Sequence, residues 1–221
     1  FVGIKPVLLG RNEARLDEAV EALGDTTSRV VADVTDRAAV EAAVAWTTEN
    51  VGAPSILVNA AGIAESSPLL PPDDELWDRT MAVNAKGGWH LATACVPAMK
   101  QAFVGFICNI ASTAALQGYR YTAAYTASKH ALLGLSRSLV EDLRGSGIRV
   151  TTVCPGFLDS PMTDRTVANI VETTDATEEQ ARRSLARMNA SGLLITPHAV
   201  AAVVLELVRD STAHGREVRL D

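Results

Sequence analysis

An α/β fold, with one parallel sheet covered by helices on both faces, is what these 221 residues predict. Three observations carry the prediction. Short apolar runs alternate with helical patterns along the whole chain, and no linker interrupts them. Those runs are apolar throughout instead of at every second residue, as strands buried on both faces are. The polar and small-residue signals fall just after the runs, where a doubly wound sheet presents its ligand edge. One domain spanning residues 1–221 is expected.

Each element has its own signal. Pro6 to Gly10 reads as a buried strand, and Asn12 then caps a helix to about Leu23, with Leu16, Ala19, Val20 and Leu23 at helical spacing. Arg29 to Ala32 is a second strand, Asp36 caps a helix toward Asn50, and Ser55 to Asn59 is a third strand. One long helix is predicted from near Asp74 to near Lys100, with Pro97 close to its end. Val104 to Ile110 follows as a fourth strand, Thr122 to about Arg144 as another long helix, and Ile148 to Val153 as a fifth strand closed by Pro155-Gly156. Residues 159–192 break this rhythm and read as an inserted flap. Within it, Thr177 and Gln180 make a capping box for a short helix reaching Met188. Thr196 with Pro197 starts a helix to about Arg209, and Glu217 to Leu220 is the last strand. With right-handed crossovers this is a doubly wound, Rossmann-type three-layer sandwich.

Bulk properties narrow the function. Hydrophobic residues at 48% and charged residues at 21% suit a soluble globular protein. A net charge of -6 argues against nucleic acid as a partner, since binding it takes a basic stripe. No apolar run approaches a membrane span, and Phe1 to Gly10 lacks the pattern of a secretory signal. Cys95, Cys108 and Cys154 are scattered and read as buried small hydrophobes in a reducing cytoplasm. No His-x-x-x-His pair occurs, so no metal site is expected.

Among three tyrosines, only Tyr125 is followed four residues later by a lysine, Lys129. Positions i and i+4 share a helix face, so the ammonium can lie beside the phenol. A neighbouring cation favours phenolate and would lower a pKa that is ordinarily near 10, making Tyr125 usable as an acid and base. A Tyr-x-x-x-Lys pair alone is weak evidence. Ser112, just past the strand that ends at Ile110, adds a hydroxyl at the same sheet edge.

Asn59-Ala-Ala-Gly62, Asn84, Asn109-Ile-Ala-Ser112, Tyr125-Thr-Ala-Ser-Lys129 and Pro155-Gly156 resemble, in order and spacing, the signatures of the short-chain dehydrogenase/reductase family. The resemblance implies a nicotinamide-dependent enzyme interconverting a ketone and a secondary alcohol, closest in pattern to 3-oxoacyl reductases. It implies Tyr125 as general acid and Lys129 as its electrostatic partner and ribose ligand. Ser112 would polarise the carbonyl, and Asn84 would hold a relay water and stabilise a helix kink. Asp33 and Val34 would touch adenine. Asn59, Ala60 and Gly62 would wall the adenosine side. Pro155 and Gly156 would pack on nicotinamide, and Ser160 would reach its carboxamide. A homotetramer or homodimer is implied as well, with residues 159–192 as a substrate lid.

NADP(H) is favoured over NAD(H). Gly10 stands where an acidic residue would repel a 2′-phosphate, and Arg11 follows it with a guanidinium able to pair with one. The family's first strand and its glycine-rich phosphate loop have no counterpart here, so the chain is expected to be part of a longer one. The end also looks trimmed after Asp221. Two rivals stay open: an NAD-dependent secondary-alcohol or 3-hydroxyacyl dehydrogenase of the same family, and a dinucleotide sensor without catalysis. A serine hydrolase is disfavoured, because position 138 is Ser where a nucleophile elbow around Ser136 needs Gly.

Overall fold

The computed structural model describes residues 4–221, so Phe1 to Gly3, part of the segment read for a secretory signal, lie outside it. The architecture is a parallel sheet flanked by helices, in the order β1 (Val7–Gly10), α1 (Glu13–Leu23), β2 (Ser28–Val31), α2 (Arg37–Asn50), β3 (Ile56–Asn59), α3 (Asp74–Met81), α4 (Gly87–Ala102), β4 (Gly105–Ile110), α5 (Ala123–Asp142), β5 (Ile148–Pro155), α6 (Pro161–Thr173), α7 (Glu178–Ala186), α8 (Pro197–Arg209) and β6 (Glu217–Leu220). Helix starts follow the side-chain signals. The side chains of Asn12, Asp36, Asp73, Thr177 and Thr196 each accept a hydrogen bond from an amide in the first turn.

All strand pairs are parallel, but the described residues form two sheets where one was expected, β1-β2 and β3-β4-β5-β6. No ladder joins β1 to β3 among these residues, and Val58, in the middle of β3, is 44% exposed. The two pieces nonetheless share a core. Leu9 of β1 and Leu57 of β3 both pack on the cluster Val34, Val40, Val83 and Leu91. His90 reaches the Val34 carbonyl through Nδ1 at 2.9 Å.

The two central strands of the larger sheet, β4 and β5, are buried on both faces. Phe106, Cys108 and Val153 pack toward α8 against Val204 and Leu207. Ile107 and Val150 pack the other way, against Cys95 and Met99 of α4 and Leu143. Each of these buried aliphatic side chains contributes about 1.5–3 kcal/mol of transfer free energy. The three cysteines are buried free thiols.

Three predictions need correction. The single helix over residues 74–100 is instead α3, a π-helical turn (Ala82–Lys86) and α4, because Asn84 spends its side chain on the neighbouring loop. Pro97 lies inside α4, close to its end at Ala102, as expected. The insertion holds two helices, since Ser160-Pro161 starts α6 ahead of α7, and Val167 of α6 packs on Ala181 and Leu185 of α7. β5 also runs two residues further, through Pro155.

Candidate active site

The chemistry-bearing residues gather at the carboxyl ends of the strands. Ser112 follows β4 and opens a 3₁₀ turn (Thr113–Ala115), its Oγ accepting from the Ala114 amide at 3.1 Å. Tyr125 and Lys129 occupy the first two turns of α5. Lys129 is buried, donates from Nζ to the Ile110 carbonyl at 3.0 Å, and lies 5.8 Å from the centre of the Tyr125 ring.

Asn84 ties this helix to the loop after β3. Fully buried in the π turn, its Oδ1 accepts from the Ile63 amide at 2.8 Å. Its Nδ2 donates to the Ile63 carbonyl and to Ser128 Oγ, both at 2.9 Å. The Ser128 hydroxyl in turn donates to the Tyr125 carbonyl at 2.7 Å. Asn84 therefore ties the irregular turn to the backbone of Ile63 and to Ser128. A Cβ added to Gly62 would stand 3.4 Å from both Asn84 Oδ1 and Lys129 Nζ, so the loop passes close to both groups.

Electrostatics correct one expectation. Burial pushes the Tyr125 phenol above its ordinary pKa; the Ser112 hydroxyl opposes that shift and nearby Tyr119 adds to it. Burial likewise brings the Lys129 ammonium from 10.5 down to about 8, with Cys154 opposing. The predicted lowering of Tyr125 by Lys129 is not among the causes of this shift; the ammonium sits over the ring and is held by the Ile110 carbonyl. Tyr125 is thus held protonated at neutral pH.

The residues expected to hold a dinucleotide line the same edge. Arg11 follows β1, Asp33 and Val34 follow β2, Asn59 ends β3 with Ala60 to Gly62 after it, Pro155 ends β5 with Gly156 next, and Ser160 precedes α6. Arg11 is not unengaged: its Nη1 lies 3.4 Å from Asp33 Oδ2. Burial works against the charge on Asp33, yet the Thr35 amide and hydroxyl, both at 2.8 Å, and Arg11 hold its pKa below the usual carboxylate value. Asn59 is 2% exposed, with Nδ2 donating to Asn109 Oδ1 at 3.0 Å and Oδ1 accepting from the Ala61 amide at 3.3 Å. Its side chain thus shapes Ala60 to Gly62 and offers a ligand no contact of its own. The adenosine and nicotinamide-ribose ends of a dinucleotide find fitting groups in this set. The glycine-rich turn that would take its pyrophosphate has no counterpart among the described residues.

Sequence reasoning gave three further groups no part in the site. Ser128 was legible as the residue between Tyr125 and Lys129 on the same helix. Ser136, which accepts from Asn109 Nδ2 at 2.9 Å, and Asn189, which bonds the Phe157 backbone, carry no local signal.

Comparison with known proteins agrees with the fold. The family model described as short chain dehydrogenase matches residues 2–171. The 2-(R)-hydroxypropyl-CoM dehydrogenase of Xanthobacter autotrophicus is 44% identical over 145 residues, which are 64% of this chain and 58% of that protein. A variant of actinorhodin polyketide ketoreductase, solved with NADPH, superposes with a TM-score of 0.93 at 28% identity, covering 98% of this chain and 86% of that one. The L-sorbose reductase of Gluconobacter frateurii, solved with NADPH and L-sorbose, gives 0.89 at 26% identity, covering 97% and 84%.

Proposed function

The chain belongs to the short-chain dehydrogenase family and is an NAD(P)-dependent oxidoreductase acting on CH–OH groups; from that premise we propose that it reduces a ketone to a secondary alcohol with NADPH, the substrate being a 3-oxoacyl thioester or a related ketone. One observation carries the reading: Ser112 and the Tyr125–Lys129 pair meet at the carboxyl edge of the sheet, where Tyr125, protonated at neutral pH as an ordinary phenol is, can deliver a proton to a carbonyl oxygen. NADPH supplies the hydride when bound.

The protein's own groups do the remainder. The Ser112 hydroxyl and Tyr125 phenol hydrogen-bond the carbonyl oxygen and orient it. Tyr125 then gives up its proton as negative charge develops there. Lys129, charged below about pH 8, stabilises the phenolate left behind and donates to ribose hydroxyls. Asn84 and Ser128 hold Tyr125 and the loop at Gly62 in fixed relation. The reverse oxidation starts from phenolate, which burial disfavours, so it calls for a more alkaline solution. NADPH over NADH rests on the absence of a carboxylate at Gly10 and on Arg11 beside it. Segment 159–192 serves as the lid of the single domain. The buried free thiols suit a cytoplasmic protein, and a homotetramer or homodimer completes the reading.

The test is a panel of ketones and 3-oxoacyl thioesters assayed with NADPH and NADH on wild-type protein and on Tyr125→Phe. The variant should lose at least ~10²-fold in turnover while its dinucleotide affinity stays the same. Full activity in Tyr125→Phe would overturn the assignment.

A further inference from the structure

The turn after β5 is held by a side chain that plays no part in the chemistry above. Asn189 lies just past α7 and is 4% exposed. Its Oδ1 accepts from the Phe157 amide at 2.8 Å, and its Nδ2 donates to the Phe157 carbonyl at 2.9 Å and the Leu193 carbonyl at 2.7 Å. The first two bonds satisfy both backbone groups of one residue, as a neighbouring strand does. Backbone pairing carries on from there: Leu158 bridges Ile195, with the Ile195 amide donating to Phe157 at 3.0 Å and the Asp159 amide to Ile195 at 2.8 Å.

The fit is close. A Cβ on Gly156 would stand 2.1 Å from Asn189 Oδ1, so the glycine and the amide are shaped to each other. Phe157 in turn meets Tyr119 edge-on at 5.9 Å, and Tyr119 donates to Thr113 Oγ1 at 2.8 Å, in the turn that Ser112 opens. A continuous set of contacts therefore runs from the exit of the lid, through the Pro155-Gly156-Phe157 turn, to the residue beside Ser112.

We propose that Asn189 is a positioning residue, a latch that fixes the lid's exit to the turn after β5 and so sets the spacing between that turn and the Ser112–Tyr125 pair. Its kinetic part rests on the oxidoreductase reading; its structural part does not.

Two variants test it. Asn189→Leu removes all three bonds at similar size. Asn189→Asp keeps the bond from the Phe157 amide but sets oxygen against two carbonyls. Amide hydrogen exchange without dinucleotide should rise roughly tenfold or more at Phe157 and Asp159 in both, with β4 unchanged. In steady-state assays with the best ketone of the panel, kcat should fall about 10–100-fold, while the affinity for 2′,5′-ADP, which probes the adenosine end alone, stays at the wild-type value. A general loss of structure would instead weaken 2′,5′-ADP binding and speed exchange in β4. Wild-type exchange at Phe157, or a loosened lid with unchanged kcat, overturns the latch. A wild-type protein that reduces no ketone overturns the oxidoreductase reading, and the exchange measurement still decides whether the latch exists.

Discussion

Replacing Lys129 by methionine should make the protein more stable at neutral pH while removing its activity. Burial brings the ammonium from 10.5 to about 8, so the folded chain holds that proton about 3 kcal/mol less tightly than the unfolded chain does. Methionine fills much the same space without a charge. The substitution forfeits the bond from Nζ to the Ile110 carbonyl, about 1 kcal/mol. The net gain is then about 2 kcal/mol, and for a chain of this size the melting temperature should rise by about 4–8 °C at pH 7. The sign of the pH dependence is fixed by the depressed value. Between about pH 8 and 10.5 the unfolded state binds more protons than the folded one, so wild-type stability climbs through that window while the variant lacks the effect. Thermal melts of both proteins at pH 7 and pH 10 measure it, and the gap between them should shrink at the higher pH. A variant that melts at or below wild type at pH 7, or a gap indifferent to pH, would refute the claim that Lys129 is held at a cost to the fold.

Two further outcomes follow from particular contacts. Asp33→Asn should release Arg11 for a 2′-phosphate and tighten NADPH about 2–5-fold relative to NADH, the range expected of an exposed ion pair. Fluorescence titration with both dinucleotides reads this ratio, and a move toward NADH would count against Arg11 as the phosphate ligand. Gly156→Ala should cost about 1–3 kcal/mol from the clash with Asn189, with much of it restored by adding Asn189→Ala. Strictly additive losses in that cycle would mean the two residues do not meet.

The order of elements was legible because buried parallel strands and capped helices leave local marks. Asn12, Asp36, Thr177 and Thr196 were each readable as caps from sequence, and each caps its helix. Tyr125, Lys129 and Ser112 were readable from spacing and Asn84 from the family resemblance, and the fold brings them to one sheet edge, around the loop at Gly62. What stayed hidden depends on distant residues. The π turn at Asn84 exists because Ile63, twenty-one positions away, captures the side chain. The Arg11–Asp33 pair and the Asn189 contacts with Phe157 span twenty-two and thirty-two positions, which no periodicity reports. The raised pKa of Tyr125 was missed for a related reason: sequence shows a cation four residues away, but not the depth at which both groups lie.

The amides of Asn59 and Asn109 face each other across β3 and β4, in register as directly paired residues, and Ser136 of α5 completes the line. β3 is only four residues long, and most of its side chains are aliphatic, so apolar packing alone would accept it one position up or down. A slip by one residue would put Cys108 or Ile110 opposite Asn59 and turn its carboxamide to the wrong face. Two buried amides would then have no partner, at about 1–3 kcal/mol for each polar group stranded. The polar line thus works as an alignment pin for the sheet. It sets, to within one strand position, where the loop from Ala60 to Gly62 comes to rest over Lys129.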